Sequence, residues 1–292
     1  MESLGDVFPI LKTANRAERA ILRGDRAMAF RQHAEARLAH LDLNDGLAIR
    51  LPELERLTTC HRIQYRRLDW RAIAARPLAA TPVRTNQDQA AFNQACTAVA
   101  VHNTEVLTAR KLIEGDAGTT REVITLNTRL AELRDGMNSL GLAVPEEDRL
   151  VAVVEAIEED DVPYERIKGA DPHSARREPI PLGERRQIHL AALCATALRV
   201  GAELIGVLVE EAIEVVVHVE MLSDDRTQSL HRPVLQLLMT TEALKTLDWK
   251  TGDAITLATS LGARMDWSIE RGFAPISIAP LANQVPPLAK SA

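Results

Sequence analysis

Glu214, His218 and Glu220, followed by Asp224 and Asp225, are the residues whose types and spacing come nearest to a catalytic constellation. The first three lie in Ile213-Glu-Val-Val-Val-His-Val-Glu-Met-Leu222, and after a loop comes a second apolar run, Arg232-Pro-Val-Leu-Gln-Leu-Leu-Met-Thr240. Side chains alternate along a strand, so Glu214, Val216, His218 and Glu220 share one face, and Ile213, Val215, Val217, Val219 and Met221 share the other. Carboxylates gathered at a hairpin could hold Mg²⁺ for phosphodiester hydrolysis, a nuclease-like chemistry. That chemistry needs a further acid or a lysine on the neighbouring strand, and Val234-Leu-Gln-Leu-Leu-Met239 offers neither. The competing reading makes Glu214, His218 and Glu220 the wet face of a half-buried strand. Catalytic residues stay unassigned, and neither a metal nor a cofactor is expected.

Other chemical motifs fail on inspection. His218-Val-Glu220 has the HxE form of a zinc deaminase, but no cysteine follows it to complete the metal set. Asp42-Leu-Asn-Asp-Gly46 begins like a calcium-binding loop, yet the position that requires glycine is Leu47. The phosphate cradles GxGxxG and GxxxxGK[ST] are absent, as are GxSxG, HExxH and CxxC. Cys60, Cys96 and Cys194 are too few and too scattered for a disulfide framework and read as buried, reduced thiols. Each of the three tryptophans follows an aspartate (Asp69-Trp70, Asp248-Trp249, Asp266-Trp267), a pattern in which the acid caps a helix and the ring packs back on the core.

Composition narrows the class further. A chain of 292 residues suits two domains, and 46% hydrophobic content is that of a globular protein. Aromatics make up only 3%, which argues against a stacking surface for nucleic acid. The net charge of −6 points the same way, although it is unevenly spread. Residues 50–84 hold eight arginines (50, 56, 62, 66, 67, 71, 76, 84) against Glu53, Glu55 and Asp69, a balance of +5. Residues 144–161 hold eight acids against Arg149, a balance of −7. The basic stretch could face phosphates, but a solvated face, or one complementing the acidic stretch, is the preferred reading. The N-terminus lacks a signal-peptide pattern, and Arg199 and Glu203 interrupt the longest apolar run, 190–209. A cytoplasmic protein without a membrane span is expected.

The elements that must position these residues fall into two groups. Helices are predicted at about 8–41, 52–68, 86–114 and 119–140. Within the last, Val123, Leu126, Leu130, Leu133, Met137 and Leu140 step by three and four, the seam of a short coiled coil. Beyond Pro145 the texture changes. Leu150–Ile157 is short, apolar and β-branched, hence a strand, and Val162–Ile167 could pair back on it. A helix over 182–208 is apolar round most of its girth, with a narrow polar stripe of His189, Thr196, Arg199 and Glu203. The hairpin follows, then a closing helix within 242–268 and an extended tail. The fold class expected is α+β, mostly helical. It comprises an N-terminal helical hairpin or bundle with a coiled-coil seam (1–144), an α+β domain with a small sheet built around the hairpin and a buried helix (145–283), and a tail (284–292).

Leu193-Cys-Ala-Thr-Ala-Leu-Arg-Val-Gly-Ala-Glu-Leu-Ile-Gly-Val-Leu208, Leu68-Asp-Trp-Arg-Ala-Ile-Ala74 with its proline-rich continuation, Leu247-Asp-Trp249 and Gly272-Phe-Ala-Pro-Ile276 together resemble a group of uncharacterised bacterial proteins. The resemblance implies helical or coiled-coil segments joined to an α+β end and carries no catalytic residue. The expectation is a non-enzymatic interaction or assembly protein, associating with itself or a protein partner through the Val123–Leu140 seam. The alternatives are a metal-dependent enzyme at the hairpin and nucleic-acid binding through residues 50–84.

Overall fold

The computed structural model describes residues 51–83, 89–143, 150–168, 176–222 and 229–278. The helix expected at 8–41, the Asp224–Asp225 loop and the tail from 284 lie outside them. In chain order the elements are α1 (Leu51–Thr59), α2 (Trp70–Ala74), α3 (Gln89–Ile113), α4 (Ala117–Asn127), a 3₁₀ turn (Leu130–Asp135), β1 (Met137–Ala143) and β2 (Leu150–Ala156). A second 3₁₀ turn (Glu159–Asp161), β3 (Glu165–Lys168), β4 (Arg176–Pro179), α5 (Leu182–Val207), β5 (Ala212–Leu222) and β6 (Ser229–Thr240) follow. The described chain closes with α6 (Thr241–Thr246), α7 (Ala254–Ser260), β7 (Arg264–Ser268) and β8 (Gly272–Ala274).

Six strands form one mixed sheet in the order β1-β2-β5-β6-β7-β8. Among the described strands only the β2–β5 pair is parallel, and α5 is the crossover that joins them. Its apolar girth follows from this position, because the sheet covers one side while α1, α6 and α7 pack on others. By length and composition α5 could cross a membrane, but 94% of its most apolar stretch is buried in the protein. Gly201 sets the approach of helix to sheet: a Cβ there would stand 2.8 Å from Cβ of Met239 and 3.2 Å from Cγ2 of Val215. Ile213, Val215, Val217, Leu235, Leu237 and Met239 therefore line the α5 side of the sheet, all 0% exposed. One apolar core runs from Leu57 and Trp70 through α5 to Phe273.

Among the described residues the fold is 48% helical and 25% strand, so α+β holds and "mostly helical" does not. The largest correction falls on the coiled-coil seam. The helix predicted over 119–140 stops at Asn127, and its later heptad positions belong to the 3₁₀ turn and to β1. Val123, Leu130, Leu133, Met137 and Leu140 are buried in the protein's own core, while Leu126 is 73% exposed. Heptad spacing over so short a run only states that apolar residues recur every three to four positions. Those residues reach the same core from three elements instead of one, with Met137 and Leu140 drawn into pairing with β2.

Three smaller corrections share that cause. The helix expected over 52–68 ends at Thr59, because the following segment is pinned to the end of α5 by Leu68 N–H donating to the Gly206 carbonyl at 2.8 Å. Val162–Ile167 does not pair on β2; β3 pairs with β4 in a separate two-stranded sheet. The closing helix is two short helices and a strand pair, each helix started by a side-chain cap (Thr240 to Ala243 N–H, Asp253 to Thr256 N–H).

Candidate functional site

Register maps the face of the sheet turned away from α5. One row reads Ala143 (β1), Val151 (β2), Glu214 (β5) and Leu238 (β6). The next reads Gly141, Val153, Val216, Gln236 and Arg264 (β7), and a third places Ser139, Glu155, His218 and Pro233 side by side. Glu214, Val216 and Gln236 are buried at the centre of this face, and its members on β1 and β2 are half-buried. The hairpin residues thus share one face, as their alternation predicts, but they do not converge. Glu214 and Glu220 lie six residues apart on one strand, a separation of about 20 Å, too far for one cation.

Each also has a local partner. Glu214 is 5% exposed and accepts from the Gln236 side-chain amide, whose oxygen in turn accepts from Arg264 at 3.2 Å. Glu220 accepts from the Ser229 hydroxyl. His218 stands beside Glu155, and burial together with His231 lowers its affinity for a proton, which Glu155 partly offsets. Among the described residues, no group of three or more His, Cys, Asp or Glu side chains is placed to hold a metal ion.

The stripe on α5 behaves differently. Its four members are buried, and three of them hold neighbouring segments in place. His189 donates from Nε2 to the Ile157 carbonyl at 2.9 Å and meets the Phe273 ring edge-on at 5.5 Å. Arg199 donates to Glu203 and to Glu132, each at 2.7 Å, and to the backbone carbonyls of Cys60 (3.1 Å) and Arg129 (3.0 Å). Glu203 also accepts from the Arg129 backbone N–H. Burial opposes the Arg199 charge, but its bonds to Glu132 and Glu203 outweigh this and hold the proton more tightly than usual. The cluster ties the end of α1 and the 3₁₀ turn after α4 onto α5. Nothing in the pattern of α5 alone indicates which segments it holds, because they lie about 65–140 residues earlier in the chain.

Cys194 is buried, whereas Cys60 and Cys96 are half-buried. Burial pushes the Cys60 thiol to about 11 despite nearby Arg199, and the Cys194 thiol to about 12, so neither ionises near neutral pH. His61 follows Cys60 but turns elsewhere, its Nε2 bonding the Gly252 carbonyl at 3.1 Å.

Three arginines of the arginine-rich segment have partners within the fold. Arg50 and Arg84 lie outside the described residues. Arg67 pairs with Glu211 at 2.8 Å, Arg76 with Glu105 at 4.0 Å, and Arg62 donates to the Gly252 carbonyl at 3.4 Å. On the acidic side, Glu159 and Asp160 pair with Arg186 and Arg185 of α5. Sequence reasoning missed one feature of this region. A cleft of about 340 Å³ opens between residues 67–71 and the start of α6. The only signal for it was the Arg67-Leu-Asp-Trp-Arg71 string, which read as a cap and a packed ring. Asp69 does cap α2 through the Ala72 N–H, and the Trp70 indole donates to the Val207 carbonyl at 2.6 Å.

No protein-family model matches the chain, and no curated protein or solved structure matches it.

Proposed function

We propose that this chain is a non-enzymatic assembly protein that associates with a second copy of itself through the sheet face turned away from α5. The observation that supports this reading is the apolar content of that face, where half-buried Gly141, Ala143, Val151, Val153 and Leu238 surround the buried Glu214, Val216 and Gln236. A sheet with one face on its own helix and the other rich in valine and leucine can stack on a like sheet about 10 Å away. A two-fold pair satisfies this with one self-complementary patch and leaves no open surface for further growth. The apolar side chains elsewhere, such as Val101, Leu107 and Ile113 of α3, are exposed singly on different sides of their helix and form no patch.

The experiment is light scattering or sedimentation of the full chain at roughly tens of micromolar, beside Val153→Arg. The reading expects a dimer that becomes a folded monomer on Val153→Arg. A wild-type monomer, or a dimer indifferent to the substitution, would overturn it.

A further inference from the structure

We propose that the cleft between residues 67–71 and α6 is a binding site for a small phosphorylated molecule, with Arg67, Arg71, Lys245 and Thr241 as its donors. Its volume, about 340 Å³, lies at the lower end of the roughly 300–1,000 Å³ range of small-molecule sites.

The cleft has firmly placed walls. Leu68 and Trp70 are both hydrogen-bonded to the last turn of α5, at Gly206 and Val207. Position 206 must be glycine for this docking, since a Cβ there would stand 2.9 Å from the Arg66 carbonyl oxygen. Leu208, Val209 and the buried Trp70 supply apolar lining, and Arg67, Arg71 and Lys245 bring three cations to one opening.

Charge balance within the cleft favours an anion. Two carboxylates share the lining, Asp69 and Glu211. Asp69 is committed to the Ala72 N–H at the start of α2. Glu211 takes Arg67 Nη2 at 2.8 Å, Arg67 Nη1 at 3.1 Å and the Thr241 hydroxyl at 2.7 Å. Arg71 and Lys245 have no ion pair among the described residues, and three cations against two carboxylates leave the lining with one net positive charge. The donors on Glu211 are instructive in themselves: two guanidinium N–H groups in a fork and one hydroxyl make up a set that suits phosphate oxygens. Glu211 is 69% exposed on its side chain, so it can swing into solvent as a phosphate takes its place, with Arg71 and Lys245 meeting the remaining charge. The ligand is thus a phosphate or pyrophosphate group on a small body, and phosphate on a nucleic-acid chain is the competing source.

Calorimetric titration of the full chain with inorganic pyrophosphate tests this, using wild type, Arg71→Ala/Lys245→Ala, Glu211→Gln and, as an exposed cation on α4, Arg121→Ala. Expected are saturable binding by wild type and Arg121→Ala, at least about tenfold weaker binding by the double variant, and tighter binding by Glu211→Gln, which no longer competes for Arg67. Arg71 and Lys245 are both exposed, so the double variant should melt at the wild-type temperature. No saturable binding by wild type, or equal binding by the double variant, overturns the proposal. A second arm compares a single-stranded oligonucleotide with and without a 5′-phosphate. Binding that requires the terminal phosphate supports the site, and equal binding of the two would assign the cations to a nucleic-acid backbone and overturn it.

Discussion

The polar stripe of α5 and the polar row of β5 are built from the same kinds of side chain, histidine with glutamate, on neighbouring elements. They end in opposite conditions. On α5, Arg199 and Glu203 are one helical turn apart, and their side chains meet at 2.7 Å with 5% and 6% exposure. On β5, Glu214, His218 and Glu220 stay apart, each with its own local contact. Geometry accounts for the difference. Positions four apart on a helix lie about 5–6 Å from one another, whereas each same-face step along a strand adds roughly 7 Å. A helix therefore concentrates polar groups into a cluster, and a strand needs its neighbours to supply the second member. Here the neighbours supply Gln236 and Ser229, which satisfy the carboxylates locally instead of gathering them.

Substitution at Arg199 should mark this contrast most sharply. Arg199→Ala leaves Glu203 buried without its cation and should cost about 3–5 kcal/mol of unfolding free energy in urea. The double variant Arg199→Met/Glu203→Leu should recover most of the loss, because the charge that needed a partner is gone. Equal losses in the two variants would mean that the backbone carbonyls of Cys60 and Arg129, not the ion pair, set the value of the stripe.

Gly201→Ala tests whether α5 can yield to the sheet. Its Cβ would press on Met239 and Val215 at 2.8 and 3.2 Å, so a loss of about 1–3 kcal/mol is expected in the same measurement.

The third prediction concerns pH. Burial lowers the proton affinity of His189 from the ordinary 6.5, against an opposing bond to Ile157 and the fields of Glu159 and Asp161, with Arg185 adding to the lowering. The unfolded chain then binds the proton more readily. The contribution of neutral His189 is complete above 6.5 and is lost as pH falls through the depressed folded value. The melting temperature of wild type should drop below pH 6.5, and that of His189→Gln should drop less. Parallel curves would remove His189 from the account.

The smallest effects are expected on β5. Glu220→Gln should change stability by less than about 1 kcal/mol, and titration with Mg²⁺ or Mn²⁺ should release no binding heat. Metal binding that Glu220→Gln abolishes would reverse the comparison and make the strand row the chemical site.

The features legible in the sequence are those that depend on a single element. The limits of α3, α5 and the hairpin follow from local pattern, and so does the alternation that puts Glu214, His218 and Glu220 on one face. The Val123–Leu140 spacing was misleading because apolar recurrence tells which residues are buried without telling which element carries them. The 340 Å³ cleft was not legible, since its walls come from residues 67–71, 208–211 and 241–245 and only the docking of Leu68 and Trp70 on α5 brings them together.

Local chemistry by itself determined the burial of α5, the strand character of residues 213–222 and the absence of the common nucleotide and metal motifs. Tertiary structure alone decided the six-strand order, the conversion of the heptad run into helix, turn and strand, and the partners of Arg199. The physical reason is range. Alternation and helical periodicity act within a few residues, whereas the bonds from Arg199 to Cys60 and Glu132, and from Trp70 to Val207, join groups about 65–140 positions apart, which only the folded chain brings within reach.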